Sequence, residues 1–301
     1  IILETKCMRD LRHVDKFAFV GNDLYYEPFE IRHKLRQDYI NTLTDLCKKH
    51  DWNMLREGLW MYATPKPAAK LPPQGWKIHV SATLKNAKRV LVNVATILIP
   101  RGISFKFIMD SKVHTMTNLK NFHRGSSGKF ITIYPKHDQE FQEVLNTLHE
   151  TLKDEEGPYI LSDKRYKDTK VLYYRYGGIQ KNTILNIMGE HAPVLYSPEG
   201  EPIPDVRTPY FNPPSWVVDP FCEGQETIPE SPTLKGGRYS IISALSFSNS
   251  GGVYLAQDNE SGENVVIKEA RPYTNVDENG NEAVGILQLE FEILKMLQDD
   301  D

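Results

Sequence analysis

Residues 76–81 read Trp-Lys-Ile-His-Val-Ser, with apolar and polar side chains in alternation. A β-strand turns successive side chains to opposite faces. The run therefore predicts a strand with Trp76, Ile78 and Val80 on one side and Lys77 and His79 on the other. Ser104-Phe105-Lys106-Phe107-Ile108-Met109 repeats the pattern and sets Lys106 between two phenylalanines. Lys129–Tyr134 and Val171–Tyr176 are β-rich and read as further strands, the latter ended by Gly177-Gly178. Around them, residues 33–50 place Leu35, Tyr39, Ile40, Leu43 and Leu46 at helical spacing, and residues 138–153 do the same with Phe141, Val144, Leu145 and Leu148 behind an Asp138 N-cap. Val90–Leu98 is apolar and fits either helix or strand. Residues 63–75 hold four prolines and read as a loop; residues 192–233 hold ten and read as an irregular connection.

After that stretch the grammar changes. Tyr239–Leu245, Gly252–Ala256 and Val265–Lys268 read as strands, with a turn at Asn259–Gly262, and residues 283–297 follow a helical pattern. The expected organisation is an α+β domain over 1–210, with a twisted, mostly antiparallel sheet and flanking helices. A Pro-rich linker over 211–234 and a small sheet-plus-helix unit over 235–301 follow it.

The 301 residues suit two domains, and 40% hydrophobic with 25% charged residues is ordinary globular usage. The longest apolar runs, such as Val90–Pro100, are about half of the ~18 residues a membrane helix needs. No signal-peptide pattern opens the chain, and the first residue is Ile rather than Met, so the numbering is expected to begin inside a longer product. Cys7, Cys47 and Cys222 are far apart and odd in number, which offers neither a disulfide framework nor a metal cluster and suits a bacterial cytoplasm. The net charge of −4 hides an asymmetry: residues 66–136 contain thirteen Lys/Arg and one acid, Asp110. Such a field attracts anions. A pI of 6.2 is not that of a typical nucleic-acid binder, so a small, multiply charged anion fits better; a solvated basic face without a ligand is the plain alternative.

Several cations and one imidazole fall on or beside the expected strands: Lys77, His79, Lys106, Arg124, Lys129, Arg165 and Arg175, with Tyr134 ten residues beyond Arg124. Neither a Ser–His–Asp order nor a metal-binding H-E-x-x-H string is evident. Phosphate held by Lys and Arg suits cleavage of a C–O bond with phosphate leaving. β-Elimination from phosphoserine or phosphothreonine needs a base for the Cα proton, a proton donor for the departing phosphate, and cations for its charge of about −2. A lysine crowded by other cations is pushed toward the free amine such a base requires.

In the second unit, Lys268 closes the apolar strand Val265-Val266-Ile267-Lys268, Glu290 follows in the helix, and Gly251 lies in the small-residue loop Ser246–Gly251. This resembles a protein-kinase N-lobe, with its Gly-rich loop, its strand lysine for nucleotide phosphates and its helix-borne glutamate; serines replace the first two glycines, and Glu292 is an alternative partner. No H-R-D or D-F-G follows, so on this resemblance the fragment alone phosphorylates nothing.

Lys77-x-His79, Lys106, the Arg124…Tyr134 pair and the late Arg resemble the phosphothreonine lyases that bacteria deliver into host cells as effectors. The strings GPYILSDKRY, YYRYGG and RGSSGKFITIYP, followed by the kinase-like unit, are similar to class III lanthipeptide synthetases of the lyase–kinase–cyclase type. That resemblance implies a precursor-peptide partner carrying a leader and a phosphorylated core, with no nucleic acid and no membrane. The lyase would need no cofactor, whereas the full-length protein would also be a Ser/Thr kinase using ATP, or another NTP, with Mg. It implies that Lys106 removes the α-proton, that His79 as imidazolium donates to the leaving phosphate, and that Lys77, Arg124 and Arg175 clamp it. Tyr134 would support the base or the phosphate, and Lys129 and Arg165 are further candidates. A non-catalytic phosphopeptide-binding module attached to a kinase would share the cationic cluster without needing a base. The oligomeric state is open.

Overall fold

The computed structural model describes residues 36–221, 233–277 and 280–298. Cys7, Cys222 and the first residues of the helix expected over 33–50 lie outside them. The chain divides into two compact units, one reaching Asn118 and resuming over Phe122–Val217, the other made of Leu119–Asn121 and the chain from Val218.

The first unit runs α1 (Ile40–Lys49), β1 (Trp52–Glu57), β2 (Trp60–Pro65), β3 (Gln74–Val80), α2 (Ala87–Leu98), β4 (Phe105–Ile108), α3 (Ser111–Met116), β5 (Ile131–Ile133), α4 (Asp138–Leu152), β6 (Lys164–Arg165) and β7 (Leu172–Gly178). Its seven strands form one sheet in the order β1-β2-β4-β5-β3-β7-β6, and every neighbouring pair is antiparallel. This is the α+β architecture expected. The alternation read from the sequence explains the two faces. Trp76, Ile78, Val80, Phe105, Phe107, Ile131 and Ile133 are buried. Trp76 stacks on Phe141 of α4 with ring centroids 5.5 Å apart, so this face is the one the helices cover. Lys77, His79 and Lys106 take the opposite parity and turn to the other face.

Several boundaries differ from expectation. Helix α1 starts at Ile40 because Gln37 has φ +67°, which is incompatible with a helix turn. The N-cap of α4 is His137, not Asp138: the extended backbone at His137 lets its ring accept from the Glu140 amide at 3.2 Å. The ambiguous Val90–Leu98 is helical, inside α2. Strand β7 continues through Gly177 and Gly178 instead of stopping there, because β3 pairs with it as far as Gln74. The stretch 192–233, expected to be irregular, carries strands. After β8 (Thr183–Leu185), β9 (His191–Tyr196) and β10 (Pro202–Pro204) complete a small three-stranded sheet. Pro202 and Pro204 sit on an edge strand, where a missing N–H is tolerated.

In the second unit, β11 (Thr233–Leu234), β12 (Tyr239–Ser248), β13 (Gly251–Asp258) and β14 (Asn264–Lys268) form an antiparallel sheet, followed by α5 (Ala283–Gln298). Among the described residues no helix is long and apolar enough to cross a membrane.

Ile78 lies mid-strand between Ile133 and Tyr174 and is fully buried. Ile78→Ala is expected to cost about 2–5 kcal/mol in urea unfolding; a loss below about 1 kcal/mol would show that the helix layer collapses into the space.

Candidate active site

The register of the sheet assembles the site. Tyr62 pairs with Lys106, Lys106 with Thr132, and Thr132 with His79, so four residues from β2, β4, β5 and β3 stand in one lateral row on one face. Lys77 pairs with Arg175 two positions along the same face. Strands lie ~4.8 Å apart, which sets the Cα atoms of Lys106 and His79, two strands apart, about 10 Å from each other. A cavity of about 270 Å³ opens over this row and is lined by Lys77, His79, Lys106, Lys129, Tyr134 and Arg175 among others. Strand parity and register together thus gather residues spread over a hundred sequence positions.

Lys106 is partly exposed to the cavity and otherwise enclosed by protein. Its ammonium lies 4.4 Å from the centroid of the Trp60 ring, and its Nζ donates to the Tyr62 hydroxyl at 3.5 Å. Burial pulls it down to about 7, with repulsion from Arg207 and Lys129 adding and Glu57 opposing. A substantial share of free amine therefore exists near neutrality. Tyr134 is hydrogen-bonded to Tyr62, and burial, reinforced by Tyr62, holds its phenol well above the usual range; it stays a neutral hydrogen-bonding group beside the amine.

His79 is buried, and its Nδ1 is hydrogen-bonded to Oδ2 of the fully buried Asp163. Asp163 also accepts from Ser162 Oγ at 2.6 Å and pairs with Lys129 Nζ at 3.3 Å. Although burial alone would raise it, His79 and Lys129 hold the carboxyl ionised, well below its ordinary value. An ionised carboxylate only accepts, so Nδ1 carries the proton and Nε2 faces the cavity as a lone pair. Burial lowers the imidazole to about 3, against the pull of Asp163 and with help from Lys129 and Lys77. The ligand-free ring is therefore neutral, where the sequence resemblance implies an imidazolium.

Lys129 is lowered to about 8 by burial and donates to the Gly125 carbonyl at 3.1 Å. Burial, then Arg175, lowers Lys77 strongly; its Nζ donates to the Gly178 carbonyl at 2.7 Å. Arg175 pairs with Asp205 at 2.9 Å, and Asp205 also accepts from the Gly178 amide at 3.2 Å. Arg207 reaches the cavity from the segment after β10, with Ser126 Oγ 3.5 Å from its guanidinium. Lys129 and Arg175 thus have carboxylate partners, while Lys77, Lys106 and Arg207 rest on neutral ones. The surplus of positive charge suits a phosphate monoester, whose charge is about −2 near neutrality.

Lys77, His79, Lys106, Lys129, Tyr134 and Arg175 therefore converge. Two of the candidates do not. Arg124 lies in the loop before β5 and is absent from the cavity lining; Gly128, at φ +80°, turns the chain so that Lys129 enters instead. Arg165 is exposed on the edge strand β6. Sequence reading missed Trp60, Tyr62, Asp163, Asp205 and Arg207. Asp163 stood inside the quoted string LSDKRY, but nothing in the string showed that it faces His79. Asp205 and Arg207 were hidden in the Pro-rich stretch.

In the second unit Lys268, ending β14, is ion-paired to Glu290 of α5, and Glu292 instead accepts from Gln288 at 3.4 Å. A cavity of about 410 Å³ is lined by Ser246, Ser248, Gly251, Lys268 and Glu290 among others. A Cβ on Gly251 would lie 1.8 Å from the Glu269 carbonyl oxygen, so packing of the chain on itself already demands glycine there. Among the described residues no group of three His, Cys, Asp or Glu side chains could hold a metal ion.

Among solved structures, the phosphothreonine lyase OspF from Shigella flexneri aligns with a TM-score of 0.35 and 17% identity, over 57% of this chain and 90% of that one. The phosphothreonine lyase SpvC from Salmonella aligns with a TM-score of 0.34 and 17% identity, over 41% and 68%. A probable SapB synthase of Streptomyces coelicolor is 41% identical over 247 residues, which is 82% of this chain and 26% of that protein. The chain thus spans about a quarter of that relative's length. The profile described as RamC, N-terminal domain, matches residues 41–232, more than half of the sequence, and the chain belongs to that family.

Proposed function

We propose that the first unit eliminates phosphate from phosphoserine or phosphothreonine of a precursor peptide, leaving dehydroalanine or dehydrobutyrine. The observation that carries this is the placement of Lys106 and His79 in one row of the sheet, with the Lys106 amine drawn to about 7. The phosphate enters the cationic cavity, where Lys77, Arg175 and Arg207 hold it. Its negative charge favours the imidazolium, opposing the burial that keeps the empty ring neutral. Lys106 Nζ takes the Cα proton, the C–H electrons become the Cα–Cβ π bond, and the Cβ–O bond breaks with its pair on the phosphate oxygen. His79 Nε2 returns a proton to that oxygen. Lys106 ends as ammonium and His79 as neutral imidazole, so protons and charge balance. No step uses a metal, and the reaction is expected to survive a chelator.

The second unit fits the phosphate end of a nucleotide through Lys268, steadied by Glu290, above the small-residue loop. ATP, or another NTP with Mg, would supply the phosphoryl group for the full-length protein, where Lys268 would hold phosphate oxygens.

Incubating the chain with a synthetic phosphoserine peptide tests the lyase reading. The expected result is loss of phosphoric acid from the peptide and release of inorganic phosphate. Binding of the peptide with its mass unchanged would replace the lyase by a phosphopeptide-binding module.

A further inference from the structure

A second cavity, of about 420 Å³, lies next to the phosphate pocket and is lined by Leu59, Phe122, His123 and Ser126, together with Pro193, Asp205 and Arg207. The last three also line the phosphate pocket, so one wall separates the two spaces. That wall is positioned from both sides. Asp205 is held by Arg175 at 2.9 Å and by the Gly178 amide at 3.2 Å, and the Asp205 amide donates to the Pro193 carbonyl at 3.0 Å. Leu59 lies in the β1–β2 turn and is tied down by its carbonyl, which accepts from the Met109 amide at 3.1 Å. Apart from the shared wall, the lining is a leucine, an aromatic ring, an imidazole and a hydroxyl, with no Lys, Arg, Asp or Glu.

A peptide that seats its phosphorylated residue in the cationic pocket carries the next Cα only ~3.8 Å away. Its neighbouring side chain is therefore within reach of a space that adjoins that pocket. We infer that the Leu59–Phe122 cavity is a specificity subsite that receives the side chain directly adjoining the phosphorylated residue, and that it selects an apolar or aromatic one. The inference rests on the phosphopeptide reading above. Its volume admits a leucine or phenylalanine side chain, whose burial is worth roughly 1.5–3 kcal/mol. On the shared wall the Asp205 carboxylate is paired with Arg175 and stands beside Arg207, so selection rests on the apolar gain.

The test uses phosphoserine peptides with glycine on both sides, with one flank at a time replaced by Phe, Leu or Asp. Both kcat/KM and peptide affinity are measured on the whole chain. On one flank, Phe or Leu is expected to exceed Asp by about tenfold or more in kcat/KM, the scale of one buried side chain. Phe122→Ala and Leu59→Ala should each reduce that ratio to about twofold while elimination from the all-glycine peptide stays at the wild-type rate. Should Phe122→Ala fail to fold, Leu59→Ala carries the same comparison. Equal rates for every flank, or a preference unchanged in the variants, would overturn the subsite. If peptides bind and none is eliminated, the lyase reading falls, and the subsite is then judged by the same flank comparison in Kd.

Discussion

Lys106→Ala is expected to lower kcat for elimination from a phosphoserine peptide by about 10²–10⁴-fold, the usual contribution of a positioned base, while leaving peptide affinity within about threefold. The asymmetry follows from the site's construction. Lys77, Lys129, Arg175 and Arg207 all remain to hold phosphate, but no other lysine shares the row with His79. The pH profile supplies an independent reading. Lys106 is active as the free amine, and burial lowers it from 10.5 to about 7. The step needs Lys106 neutral and His79 charged at once, so kcat/KM rises as the phosphate loses its second proton near pH ~6 and falls above about 7, where Lys106 is already neutral and His79 must draw its proton from solvent. The residual rate of Lys106→Ala should keep the phosphate limb and lose the one at about 7. A variant retaining a tenth or more of wild-type kcat, roughly, or an unchanged profile, would move the base elsewhere, and Lys129, lowered to about 8, would be next to test.

How much of this was legible from residues alone depends on the range of the physics involved. Strand parity is local: Trp76 to Val80 shows which side of the sheet Lys77 and His79 occupy, and Phe105-Lys106-Phe107 does the same for Lys106. Those three needed no tertiary information to be set on a common face once the strands were paired. Tyr134 and Arg175 belong with them because they too stand on or beside β-rich runs. What strand parity could not give was everything decided by loops and by strand order. Arg124 and Lys129 are five residues apart in one loop, and only the turn at Gly128 determines which of them enters the cavity. Arg165 sits in the family-like string LSDKRY, yet on the outermost strand β6 it is exposed to solvent. The prolines at 193, 202 and 204 argued against regular structure, but the edge strand β10 tolerates Pro202 and Pro204, Pro193 stands in the central β9, and the small sheet they belong to brings Asp205 and Arg207 to the site. Asp163 is the clearest omission. It lies 84 positions from its imidazole partner, beyond any spacing rule, and is visible only once β3 and the segment before β6 are adjacent.

Asp163 also carries the second large expectation. Its carboxylate accepts from His79 Nδ1, from Ser162 Oγ at 2.6 Å and from Lys129 at 3.3 Å, and it is fully buried. Asp163→Asn keeps the shape and removes the charge, so two buried nitrogen bases lose their counter-ion. Breaking such a group from one side costs about 3–5 kcal/mol, which should appear as a lower thermal midpoint. The chemical effect is separate. Without the carboxylate, burial and the Lys77 and Lys129 charges oppose the imidazolium unchecked, so His79 falls further below its ordinary range and fewer bound complexes hold the proton the leaving phosphate needs. An Asp-to-Asn change behind the catalytic imidazole of a serine protease lowers kcat by roughly 10⁴, and a loss of about 10²–10⁴-fold is expected here, measured below the variant's own melting range. Ser162→Ala serves as the comparison, since it removes one hydrogen bond worth about 1 kcal/mol and leaves the charge in place, so kcat should stay within about threefold. The His79 ring can be followed directly by NMR. Added inorganic phosphate should move its titration upward in the wild-type chain and much less in Asp163→Asn. A folded Asp163→Asn protein with wild-type kcat would mean either that the imidazole needs no counter-ion to act or that the leaving phosphate takes its proton from Lys77.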